Sequence, residues 1–227
     1  MAEKEEKKPP IGAEQVRMAM QTLNRYREGK ANLERRILEG ERWYRMRHWE
    51  SMRKGQPSSV EPASGWLFNA IAAKHADAMD SFPTPNILPR EEGDRAEAKM
   101  LSAILPAELE QCGFEQVYAD VWDYKLKTGT GVYGVFWDPE ALRGMGDIAI
   151  RKVDLLNLFW ESGITDIQHS RNVFHVELQS NDVLVDRYPE LEGKLGGNAL
   201  TVSTYQYDDA ADTSGKSAVV DWYYKRR

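Results

Sequence analysis

Apolar positions change from a helical to an extended period within residues 114–153, and this stretch organises the reading of the rest. Phe114, Val117, Tyr118, Val121 and Trp122 recur at i, i+3, i+4, i+7 and i+8, one face of an α-helix. Lys125 and Lys127 suit the negative end of that helix, and Gly129 supplies the permissive backbone that ends it. Residues 132–137 are β-formers, 138–147 hold Pro139, Gly144 and Gly146, and 148–153 alternate Ile148 and Ile150 with Ala149 and Arg151. A helix feeding a β-hairpin, and packed on it, is the expectation.

Upstream the pattern is helical. Val16, Met20 and Leu23 form one stripe and Leu33, Ile37, Leu38 and Tyr44 a second, which reads as two helices in tandem, broken at Gly29 and reaching about residue 54. Ser64 is placed to cap a core helix striped by Phe68, Ile71, Ala72, His75, Met79 and Phe82 and stopped by Pro83-Thr84-Pro85. Residues 86–89 read as an extended link. Asp94 and Glu97 have capping-box spacing for a helix through Met100, Ile104 and Leu105, which Pro106 kinks or ends before Gly113.

Downstream the chain is extended. Residues 155–160 are an apolar run, and Phe174, Val176 and Leu178 alternate with Val173, His175 and Glu177, so both stretches read as strands. Ser180 can cap a short helix through Val183, Leu184 and Tyr188, halted at Pro189, and a glycine-rich loop covers 193–198. Residues 218–224 form an aromatic strand that wants neighbours on both faces, so the chain reads as a fragment. The expected class is α+β, with N-terminal helices packed on an antiparallel, mostly C-terminal β-region. Its segments are a disordered Lys/Glu tail (1–12), a helical segment (13–56) joined through a linker at 56–62 to a second (57–128), and a β-rich segment with one short helix (129–227).

Composition narrows the function. In 227 residues, 41% hydrophobic and 10% aromatic content supplies a core, while no apolar run approaches the roughly 20 residues of a membrane span. The charged start is unlike a secretory signal, and Cys112, the single cysteine, reads as a partly buried thiol at a helix end. A net charge of -6 argues against a chain built to grip phosphate backbones.

Five features invite chemistry. Gly129, Gly131 and Gly134 satisfy G-x-G-x-x-G, but a nucleotide-binding turn follows a strand and opens a helix, whereas here a helix precedes and a strand follows. Lys152, after Ile148-Ala149-Ile150-Arg151, imitates the lysine strand of a kinase, yet no H-R-D or D-F-G follows. Arg35, Arg36, Arg42, Arg45, Arg47 and Arg53 interleave with Trp43 and Trp49 as in a nucleic-acid patch. Glu34, Glu39, Glu41 and Glu50 on the same stretch favour a salt-bridged face. His75 with Asp77 and Asp80 fails as a metal set because His75 lies on the apolar stripe and Asp77 does not. Asp208, Asp209 and Asp212 lack EF-hand spacing. No catalytic, cofactor or metal residue is assigned. A nucleotide-binding enzyme using the glycine loop and a DNA-binding module using the 35–54 arginine helix stand as alternatives.

The order of features over roughly residues 40 to 227 resembles the portal proteins, or head-to-tail connectors, of tailed bacteriophages. The resemblance rests on the arginine helix ending at Trp49; Trp66 to Asn69 with Ile71; Pro85, Ile87 and Pro89; and the run Gly129-Thr130-Gly131-Val132-Tyr133-Gly134-Val135-Phe136-Trp137-Asp138. It extends to Asp147-Ile148-Ala149-Ile150, to Val153-Asp154 leading into Asn157 and Phe159, to Arg187-Tyr188-Pro189-Glu190, and to the strand from Val220 to Lys225. The chain departs from related portals where a proline stands near Leu156 and another near Glu161, and it ends before their stem, clip and crown. The resemblance implies a wing and early-core fold and a ring of about twelve subunits at one capsid vertex of the virion, assembled in the bacterial host cytoplasm. Double-stranded DNA would pass through it during packaging and ejection. Its partners would be the terminase motor and the head-completion, scaffolding and major capsid proteins. It would not itself be an enzyme, would carry no cofactor and would touch no membrane. Residues facing DNA are not assigned.

Overall fold

The computed structural model describes residues 11–49, 62–195 and 214–225. The expected tail through residue 10, the linker through residue 61 with Glu50 and Arg53, the glycine loop from 196 onward and the aspartate turn through 213 lie outside the described residues. The fold is α+β. Four long helices come first, α1 (Ala13–Tyr44), α2 (Trp66–Asp80), α3 (Arg95–Gln111) and α4 (Phe114–Thr128). Then come β1 (Tyr133–Asp138), β2 (Asp147–Lys152), β3 (Leu158–Trp160), β4 (Asn172–Ser180), a short helix Asn181–Arg187 and β5 (Lys216–Tyr224). β1 and β2 make an antiparallel hairpin, and a second antiparallel sheet has the order β3-β4-β5. Among the described residues no helix is long and apolar enough to cross a membrane.

The chain divides into two compact units, the first of residues 1–34 and 156–227, the second of 35–155. In the first, Ala19, Leu23 and Tyr26 recur on one face of α1 and meet Phe159, Phe174 and Val176 in a common core, with Trp222 packed against it. The period of two on β4 is observed in part: Phe174 and Val176 share a buried face, opposite Trp222 and Val220 of β5, but His175 on the other face is buried too and Leu178 is only partly so. Tyr26 meets Phe174 edge-on, and the ring of Phe174 stacks on Trp222 at 6.3 Å.

In the second unit α4 is the centre. Val121 and Tyr124 are buried, and Tyr118 meets Phe82 at 5.1 Å while Phe114 meets Tyr133 of β1 at 5.8 Å. The helix, its lysine-bearing last turn and its end at Gly129 all match the sequence pattern. So does the hairpin, in the register Val135 to Ile150 and Trp137 to Ile148. The 138–147 connection is a loop as read, turning through Leu142 and Arg143 in the left-handed region.

Several expectations need correction. Gly29 does not break the N-terminal helix: α1 is one 32-residue helix. A Cβ at Gly29 would collide with the Ser162 hydroxyl, so the glycine admits a close neighbour at the roughly 1 kcal/mol that a mid-helix glycine costs. The helix stops at Tyr44 rather than near 54, because Met46 adopts a left-handed conformation (φ 59) and Arg47 N–H returns to Arg42 C=O, a Schellman end built without glycine. Gly65, not Ser64, is the N-cap of α2 and gives it no side-chain bond. That helix is also not core, since only Ile71 is buried and Phe68 is exposed. The capping box falls three residues before the expected one, between Glu91 and Asp94 around a 3-10 turn. Pro106 does not end α3, which runs on to Gln111. Residues 155–160 begin as a 3-10 turn, Leu155–Asn157, before strand β3. Ser180 stands at the predicted N-cap of the short helix, but its side chain makes no capping bond.

Candidate functional site

The glycine run is a helix-to-strand joint. Gly129 sits in the left-handed region at φ 85 and donates its N–H to Lys125 C=O, closing α4. Gly131 follows where the chain doubles back over the helix: a Cβ there would lie 2.6 Å from Val121 Cγ1 and 3.0 Å from the Val121 carbonyl. Gly134 leaves room for the Phe136 ring, which lies where its side chain would be. What points at this run is the C-terminus of α4, the helix end that carries partial negative charge, and not a helix N-terminus of the kind that favours a phosphate. Lys152 places its ammonium 5.2 Å from the centre of the Tyr124 ring.

The arginine stretch is divided by burial. Glu41 is buried and accepts from Arg45 Nε at 2.7 Å. Lys127 reaches Glu41 at 3.7 Å and Asp123 at 2.7 Å, and lies 4.8 Å over the Tyr44 ring. The interleaved glutamates do form ion pairs, but Arg45 belongs to a partly buried network joining α1 to α4 and not to a solvated salt-bridged face. Arg35, Arg36 and Arg42 are exposed. Trp43, His48, Trp49 and Pro62 line an open cleft of ≈ 410 Å³, in which the Trp49 indole N–H is committed to Pro62 C=O at 2.9 Å.

The remaining candidates are dispersed. His75 is half-buried, its Nε2 3.0 Å from Ala119 C=O of α4, and Asp77 and Asp80 are exposed. Among the described residues no cluster of three His, Cys, Asp or Glu side chains could hold a metal ion. Cys112 ends α3 and donates to Ile148 C=O at 3.1 Å. Burial, then the negative charges of Glu108 and Asp147, push its thiol up from the ordinary range, which makes it a poor nucleophile. Repulsion by Asp147 first, then burial, then a hydrogen bond shared with Asp147 hold the Glu108 carboxyl above its usual value.

Sequence reasoning missed the buried charges that fasten elements together. Lys30 is 7% exposed, donates at 2.9 Å to both Leu156 and Leu158 carbonyls, and lies 4.2 Å over the Phe159 ring. A signal existed, since Ala19, Leu23, Tyr26 and Lys30 fall at i, i+4, i+7 and i+11, placing the lysine on the apolar face. Tyr124 similarly donates to Asp154 at 2.7 Å and accepts from Leu155 N–H at 3.1 Å, pinning the end of the hairpin to α4. These groups hold the fold; they do not converge on a cleft. No family model and no curated protein matches this chain.

Proposed function

We propose that the chain is a structural subunit of a tailed-phage portal ring, not an enzyme. The observation that supports this reading is apolar surface left without cover. Among the described residues twenty-six large apolar side chains are exposed, against sixteen buried apolar residues. Several are concentrated on α2 (Trp66, 83% exposed), on α3 and on the β1–β2 hairpin (Trp137, 64%). Apolar faces of this kind mark contacts with other protein, and repetition of one subunit around an axis covers each of them identically. The acidic balance suits a conduit for double-stranded DNA, because a strongly cationic wall would hold the polyanion by counterion release. In this reading the partners are further copies of the chain, the packaging motor, and the head-completion, scaffolding and capsid proteins. Its place is the capsid vertex, after assembly in the host cytoplasm.

Light scattering on a sizing column and electron microscopy of the full protein, including any coding sequence that follows residue 227, test the proposal. A large closed ring is expected. A protein that remains monomeric at high concentration overturns it. Duplex DNA should bind no better than the non-specific range of roughly 10⁻⁴ to 10⁻⁶ M at physiological salt. Submicromolar binding lost in Arg36→Ala/Arg42→Ala would instead favour a DNA-binding module.

A further inference from the structure

The outer side of α3 is built differently from its inner side. Ala98 is buried, and the hydroxyl of Ser102 on that side bonds both the N–H and the C=O of Ile87. Outward, Glu97, Leu101, Ile104 and Glu108 fall at i, i+4, i+7 and i+11, with Leu101 and Ile104 exposed. The stripe does not stop at the helix end. Glu108 meets Asp147 of β2, whose carboxylate also accepts from Gln111 Nε2 at the end of α3. One surface therefore carries an apolar patch with a pair of carboxyls at its end. Those carboxyls crowd each other, so an incoming cation would be bound favourably there.

The same compact unit carries a complementary face. On the C-terminal part of α1, Ile37 and Glu41 are buried, and on the neighbouring side Arg35, Leu38 and Arg42 are exposed at i, i+3 and i+7, flanked by Arg36 and Trp43. Apolar side chains among arginines match apolar side chains beside carboxyls. Glu39 lies between Arg35 and Arg42 on this face and would oppose a phosphate backbone, so a protein surface suits it better than nucleic acid.

Resting on the ring reading, we propose that the Leu101–Ile104–Glu108–Asp147 surface of one copy receives the Arg35–Leu38–Arg42 face of α1 from a second copy. The two faces differ, so the contact is heterologous, and its repetition continues around a ring. Arg42 reaches the neighbour's Glu108 and Asp147, Leu38 packs on Leu101 and Ile104, and the charges set the register.

The test is a charge exchange in the full protein, read by light scattering across a concentration series, with circular dichroism to establish that each variant is folded. Glu108→Lys and Arg42→Glu should each raise the concentration needed for assembly by at least about tenfold, from like charges brought together. The double variant, in which the pair is reversed, should return to within about threefold of the parent. If the parent assembles and both single variants assemble equally well, this contact is wrong while the ring reading stands. A parent that never assembles overturns both. Arg42→Glu that assembles normally but loses duplex DNA binding would assign the arginine face to nucleic acid and overturn the proposal.

Discussion

Replacing Lys30 by Met isolates what one buried ammonium does for the first compact unit. The side chain keeps its length and apolar stem, so packing changes little, but the Leu156 and Leu158 carbonyls each lose a donor at 2.9 Å. Both leucines are buried, and a hydrogen bond from a charged donor contributes about 1.5–3 kcal/mol. The ammonium over Phe159, 4.2 Å from the ring centre, contributes on the order of 1 kcal/mol more, and the half-buried Glu34 loses a cation 3.9 Å away. Against these losses, Met does not suffer the desolvation of a buried charge, an effective penalty of several kcal/mol per ion. The carbonyl and ring losses outweigh this relief because Met offers the carbonyls nothing, and the net expectation is a destabilisation of about 2–4 kcal/mol. Urea unfolding followed by circular dichroism and tryptophan fluorescence should show a midpoint lower by about 1–2 M at unchanged slope. An unchanged or raised midpoint would mean that water reaches these carbonyls, and the reasoning would fail.

Gly129→Val and Gly131→Val should each destabilise by more than about 1 kcal/mol, the first through positive φ and the second through collision with Val121, whereas Lys152→Ala should change stability little; thermal melts decide. Glu108→Gln should raise the melting temperature at pH 7. The folded-state pKa of Glu108 is raised, so the folded protein binds that proton more tightly than the unfolded chain, and stability falls as pH rises through the shifted value. The advantage of glutamine should therefore fade as pH drops below the model-compound value of 4.5, and a benefit independent of pH would refute the carboxyl pairing with Asp147.

Local pattern determined much of this protein. The helical stripe from Phe114 to Trp122, the glycine that ends it, the alternation on β4 and the hairpin before Lys152 were all legible, because each depends on residues within a turn or a strand of one another. The α+β class followed from their order. The succession of helix and strand also argued, from sequence alone, against a dinucleotide-binding turn at Gly129, Gly131 and Gly134. Tertiary structure decided what depends on distant neighbours. Gly29 reads as a break until Ser162 is seen against it, and nothing near Lys30 in the chain foretells the two carbonyls more than a hundred residues away that accept from it. The apolar stripe of α2 reads as core, yet the described fold leaves Trp66 and Phe68 uncovered. Periodicity records which side of a helix is apolar, but whether that side meets its own chain or another is settled by packing, where contacts between distant segments must outweigh the entropy of bringing them together.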